Sequence, residues 1–172
     1  MRTTSAVRTL AAAATLLVVG FGLTACGEGD QTTPAPSDQA SSVTMSDAWV
    51  KSVDGGMTAA FGVLSNSGDA DATLVAVRTP ASATVEIHEV VMNESGDAVM
   101  QPKEGGVVVA AGGSATLEPG GDHIMLMDVT DPIEPGDEVA LTLEFSDGST
   151  LDVTATAKEF SGGNEEYMPD AG

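Results

Sequence analysis

The side chains best suited to chemistry in this chain are two histidines and a group of methionines. His88 and His123 are the only histidines among 172 residues; Met92 and Met100 lie between them, and Met125 and Met127 follow the second. Imidazole nitrogen and thioether sulfur are neutral donors, and together they suit a soft metal ion, copper(I) first. The single cysteine, Cys26, stands far N-terminal to this stretch. A domain without thiol cannot be a blue-copper electron carrier, a zinc ribbon or a thiol oxidoreductase.

Strand alternation sorts these donors into two half-sites. In a strand from His123 to Val129, His123, Met125 and Met127 share one face while Ile124 and Leu126 point to the core. Positions two apart are separated by about 6.6 Å, a gap that an imidazole and a flexible thioether can close on one ion. In a strand from Thr84 to Met92, Glu86, His88 and Val90 oppose the apolar pair Val85 and Ile87. Met92 shares the histidine's face but sits about 13 Å along it, too far without a bulge. Met100 is the better partner, because the turn Asn93–Asp97 folds it back beside His88. The candidate ligands are therefore His88, Met100, His123 and Met125, with Met92 and Met127 in reserve. A methionine in a β-domain most often packs, and a lone histidine most often hydrogen-bonds at a surface. The set gains weight because both histidines face away from apolar rows and both have methionines within reach.

The elements that must position these residues are strands. Short runs rich in β-branched residues alternate with Gly, Asp, Asn and Pro turns, which predicts strands at 45–51, 57–66, 72–79, 84–92, 98–101, 106–110, 114–118, 123–129, 137–145 and 149–157. The fold class is all-β, a two-sheet sandwich or a Greek-key barrel. Around the hairpin turn Ser146–Ser149, Val139, Leu141, Leu143 and Phe145 face Leu151, Val153 and Ala155, and Trp49 and Phe61 are expected to plug the core.

The ends differ from this middle. Arg2 and Arg8, an apolar run from Leu10 to Leu23 and the box Leu23-Thr24-Ala25-Cys26 resemble a bacterial lipoprotein signal. The reading is a signal peptide over 1–25, then a lipidated Cys26 with a flexible linker over 26–43. The β-domain follows over 44–160, and an acidic disordered tail over 161–172. Such a protein hangs from a membrane by lipid alone, outside the cytoplasm. The formal net charge of −20 at pH 7 grows more negative once Arg2 and Arg8 leave with the signal. That surface repels nucleic acid and anionic headgroups.

An enzyme is disfavoured, since no serine or carboxylate pair stands out once both histidines serve as ligands. The acidic loops lack the spacing of an EF-hand and read as solvated turns. Aromatic residues are too scarce for a carbohydrate or nucleobase platform. The rival readings are a copper storage or resistance protein and a metal-free scaffold or adhesion lipoprotein. If the imidazoles bind copper, affinity must weaken as protons compete for them in acid.

The spacing carries a family resemblance. His88 and Met100 are separated by 11 residues and Met100 and His123 by 22, and His123-Ile124-Met125 closes the series. This is similar to the periplasmic copper chaperones called PCuAC proteins, whose motif is a His, a Met about eleven residues on, then His-x-Met after roughly twenty-one more. The second gap here is longer by one. The blocks Asp47–Val50, Ala60–Asn66, Thr79–His88 and Leu117–Met127 resemble that family too. The resemblance implies a cupredoxin-like fold and one copper(I) held by two His and two Met. It also implies a carrier that delivers the ion to the copper centre of respiratory cytochrome oxidase, and the chain is expected to be a monomer.

Overall fold

The computed structural model describes residues 38–163 and 166–168. The signal over 1–25, Cys26 and the linker to residue 37 lie outside the described residues. A one-turn helix α1 (Gln39–Ser42) leads into β1 (Val43–Lys51), β2 (Gly56–Asn66), β3 (Ala72–Arg78), β4 (Val85–Met92), β5 (Ala98–Pro102) and β6 (Val107–Val109). Then come β7 (Ser114–Leu117), β8 (His123–Val129), β9 (Glu138–Phe145), β10 (Thr150–Lys158) and a two-residue β11 (Glu166–Tyr167). No helix among the described residues is long and apolar enough to cross a membrane.

The strands form one continuous, unclosed sheet in the order β11-β5-β4-β8-β2-β1-β10-β9-β3-β6, with β7 also paired to β2. Its halves fold over a shared core: Ile87, Ile124 and Leu126 from β4 and β8 join Leu74, Val77, Leu141, Leu143 and Phe145 from β3 and β9. The resulting all-β sandwich is of the cupredoxin-like class that the sequence predicts. The β9–β10 hairpin pairs Leu143 with Leu151 and Leu141 with Val153, as its alternation requires.

The folded domain reaches further at both ends than composition suggests. Val43 is buried in the core. Ahead of it, Asp38 caps α1, and Gln39 donates to Asp147 Oδ2 at 2.7 Å and accepts from Thr73 N at 2.9 Å. In the stretch expected to be disordered, β11 pairs in parallel with β5, and Met168 N donates to Met100 O at 2.8 Å. Polarity alone hides such pairing, because the contacts are made by backbone groups.

Phe61 is buried, as expected, but it lies outside the main apolar cluster, and Trp49 does not plug the core. Alternation from Val43 and Met45 would send odd-numbered β1 residues inward, but the register shifts between Ser46 and Trp49, with Asp47 at φ 53°. This bulge carries Val50 into the core and turns Trp49 to the opposite face, beside Phe61. Gly62 makes room for it. At φ 156°, a Cβ there would meet Met45 Cε at 2.6 Å and Ser46 O at 3.0 Å.

Candidate metal centre

The re-aimed Trp49 begins a row of rings that crosses four strands on the face away from the core. Trp49 pairs with Phe61, Ala60 pairs with Ile124 so that Phe61 comes beside His123, and His123 pairs with His88. The ring centroids are 4.5, 6.2 and 5.6 Å apart along this row. Both imidazoles are buried, His88 at 0% exposure and His123 at 3%. Cross-strand neighbours of this kind are the closest side-chain pairs that a sheet offers.

Each histidine is oriented by its own strand. The Nε2 of His88 lies 2.7 Å from Glu86 Oε2, two residues back on β4. A carboxylate accepts, so the neutral imidazole carries its proton on Nε2 and its lone pair on Nδ1. That Nδ1 is buried and has no hydrogen-bond partner. His123 uses the other nitrogen: Nδ1 donates to Gly121 O at 3.0 Å, which leaves the lone pair on Nε2. The carbonyl is presented by the turn at Pro119–Gly120, closed by Gly121 N donating to Glu118 O at 3.0 Å. Carboxylate and carbonyl partners that fix the tautomer are the usual outer support of metal-binding imidazoles.

The thioethers divide sharply. Met125 pairs with Glu86 across β4 and β8, one alternation step from His123, and is buried. Met100 pairs with Val90 across β4 and β5, one step from His88, and is buried too. Met100, Met125 and His123 line one cavity of about 50 Å³. Met92 is 74% exposed at the far end of the β4–β5 hairpin. Met127 is half-buried one further step beyond Met125, where its N–H donates to Thr84 O. Of the four preferred candidates, Met100, His123 and Met125 thus line one cavity and His88 pairs with His123 beside it, whereas neither Met92 nor Met127 lines that cavity.

Behind the pair, Lys103 ties the half-sites together. Its ammonium lies 2.8 Å from Glu89, next to His88, and 3.3 Å from Asp122, next to His123. The Lys103 hydrogen bond, with help from Gln101, holds the Glu89 carboxyl below the usual carboxylate range, and the same contact with Glu89 raises the Lys103 ammonium.

Several residues of the site carry no signal in the sequence. Glu86 and Lys103 read as surface charges, and Met57, 51% exposed, reaches the cavity rim from β2. The C-terminal residues are the largest surprise. Phe160 packs edge-on against Trp49 at 5.4 Å, Lys51 Nζ donates to Gly162 O at 2.7 Å, and Gly163 lines the cavity. Tyr167 stacks on His88 with centroids 5.0 Å apart and planes 8° from parallel, its hydroxyl 3.3 Å from Glu86 Oε2. Only the spacing of Phe160 and Tyr167, the sole aromatics of that stretch, could have hinted at this. Among the described residues, no three His, Cys, Asp or Glu side chains cluster as a metal site.

Comparison with known proteins agrees with this architecture. The family described as "Putative lipoprotein LpqE-like" matches residues 43–157. "Putative lipoprotein Lxx21020" from Leifsonia xyli subsp. xyli (strain CTCB07) is 41% identical over 156 residues, 90% of this chain and 93% of the relative. The copper-bound PCuAC domain from PmoF2 superposes with a TM-score of 0.57 at 17% identity, covering 69% of this chain and 94% of that domain. Apo-DR1885 from Deinococcus radiodurans is 33% identical, with a TM-score of 0.55 over 83% of this chain and 98% of that one. Its copper(I) form is 28% identical, with a TM-score of 0.52 over 73% and 85%. The chain belongs to the LpqE-like lipoprotein family, and its fold is that of the PCuAC domains.

Proposed function

We propose that this protein is a copper(I) carrier of the extracytoplasmic face, anchored by lipid on Cys26. It holds one ion between His88, Met100, His123 and Met125. The observation that carries this reading is the Nδ1 of His88, buried without a hydrogen-bond partner on a ring whose centroid lies 5.6 Å from that of His123. Leaving a buried polar atom unsatisfied costs about 1–3 kcal/mol. A ligated cation removes that cost. The likeness to DR1885, which takes copper(I), supports the choice of metal.

The donor set suits a carrier. Four neutral ligands leave the ion with a single positive charge, and thioethers favour the reduced soft state. Without thiolate the site can hold copper and still release it. Delivery is to the copper centre of cytochrome oxidase, and the net charge of −20 suits docking on a basic patch of that recipient.

Anaerobic titration of the full chain with copper(I) against a chromophoric chelator tests binding, and saturation at one ion per chain is expected. Transfer to an apo copper-centre domain tests delivery, at a rate that falls with salt. Saturable binding without transfer would make the protein a store. No saturable binding would remove the metal role altogether.

A further inference from the structure

Both imidazoles are buried although they sit on the outer face of the sheet. Part of the cover over that face comes from the far end of the chain. Phe160 is anchored on Trp49, the carbonyl of Gly162 is held by Lys51, and Gly163 forms cavity wall beside Met100, His123 and Met125. Farther on, Glu166–Tyr167 adds two residues to the edge of β5 in register with Val99 and Met100, and Met168 N donates to Met100 O. Tyr167 closes the series by stacking on His88 and reaching Glu86.

We infer that the described residues of this C-terminal stretch act as a removable strap over the metal site, with Tyr167 as the residue that sets how fast copper(I) exchanges. The inference rests on the reading of the site as a copper site. The attachment is built to be reversible. A strand of two residues contributes few ladder hydrogen bonds, and the edge of β5 that it occupies is the kind that accepts an incoming extended segment. The grip on the ligands, by contrast, is specific. Tyr167 covers the ring of His88, and Met168 is tied to the backbone of Met100, so the strap touches one residue of each ligand type. While it is seated, water and competing chelators are kept from the ligand pair His88 and Met100. When it peels away, that half-site opens and the β5 edge is bared in the same movement. Release of the ion and exposure of a strand-docking edge are therefore a single event.

The test uses the full chain with Tyr167→Ala, Tyr167→Phe and Met168→Pro, the last removing the N–H that donates to Met100. Bathocuproine disulfonate is mixed with copper(I)-loaded protein and the stripping rate is followed. Loss of the stacked ring is expected to speed stripping about tenfold. Met168→Pro should act in the same direction, and Tyr167→Phe should stay near the parent rate because it keeps the stack. In parallel, metal-free protein is treated with diethyl pyrocarbonate, and modification of His88 is followed by peptide mass spectrometry. His88 should be protected in the parent and in Tyr167→Phe, and modified several-fold faster in Tyr167→Ala, with unchanged circular dichroism. Parent-like stripping and parent-like protection in Tyr167→Ala would overturn the strap. If the parent takes up no copper(I), the copper reading fails, and the protection of His88 alone then decides for or against the strap.

Discussion

Strands β4 and β8 have two faces, and these are closed in different ways. On one face Ile87, Ile124 and Leu126 are sealed by apolar strands of the opposite half of the sandwich. On the other, His123 lies against Phe61 and His88 against Tyr167, and Gly163 lines the cavity that holds Met100, His123 and Met125. The first closure is dictated by alternation and belongs to the fold. The second is assembled from residues distant in sequence. A face covered in that way can be uncovered without unfolding the domain.

Substitutions on the two faces should separate binding from stability. The largest effect expected is on copper: His88→Ala or His123→Ala should weaken affinity by more than about 100-fold, beyond the range usual for outer-shell partners, with little loss of fold. On the core face, Leu126→Ala should cost about 2–5 kcal/mol in urea unfolding, with copper affinity retained wherever the protein is folded. A histidine variant that unfolds, or a core variant that loses copper while folded, would erase the distinction between the faces.

Glu86→Gln comes next. Removing the carboxylate that orients His88 should weaken copper(I) by about 10- to 100-fold in the same chelator competition. Parent-like affinity would mean that the 2.7 Å contact does not fix the imidazole. Among the methionines, Met100→Leu and Met125→Leu preserve volume, so stability should hold while affinity drops. Met92→Leu and Met127→Leu should leave affinity unchanged. The reverse order would mean that a different register presents the thioethers.

The smallest effect lies away from both faces, in the β9–β10 turn. Asp147 is held below its ordinary value by the Ser149 hydroxyl and by the backbone N–H groups of Gln39 and Ser149. A depressed carboxyl contributes stability that is present above its unfolded value and lost as the pH falls through the folded one. Asp147→Asn should therefore unfold with a slightly shallower loss of stability in acid than the parent. Identical acid profiles in urea titrations would remove the contribution.

What was legible in the sequence follows the same division. Period-two alternation placed Ile124 and Leu126 inward, and His123 and Met125 outward, because one strand obeys one geometry. The turn Asn93–Asp97 announced that Met100 returns beside His88, and Asn93 N donates to Asp97 O at 2.9 Å there. Trp49 was misplaced because a bulge changes which residues face inward, and the signal for it, an aspartate at positive φ opposite Gly62, is not periodic. Tyr167 was passed over because its polar surroundings resemble a tail, whereas its attachment depends on the backbone of β5. Alternation sees the strand, but not what is laid across it.

The central claim is that two imidazoles and two thioethers converge on one ion. X-ray absorption at the copper edge, on the full chain loaded with one equivalent of copper(I), reads the donors directly. The expected spectrum shows a reduced ion bound by two nitrogen and two sulfur neighbours, with one sulfur lost in Met100→Leu and one nitrogen lost in His88→Ala. A first shell of nitrogen and oxygen alone, unchanged in both variants, would contradict it.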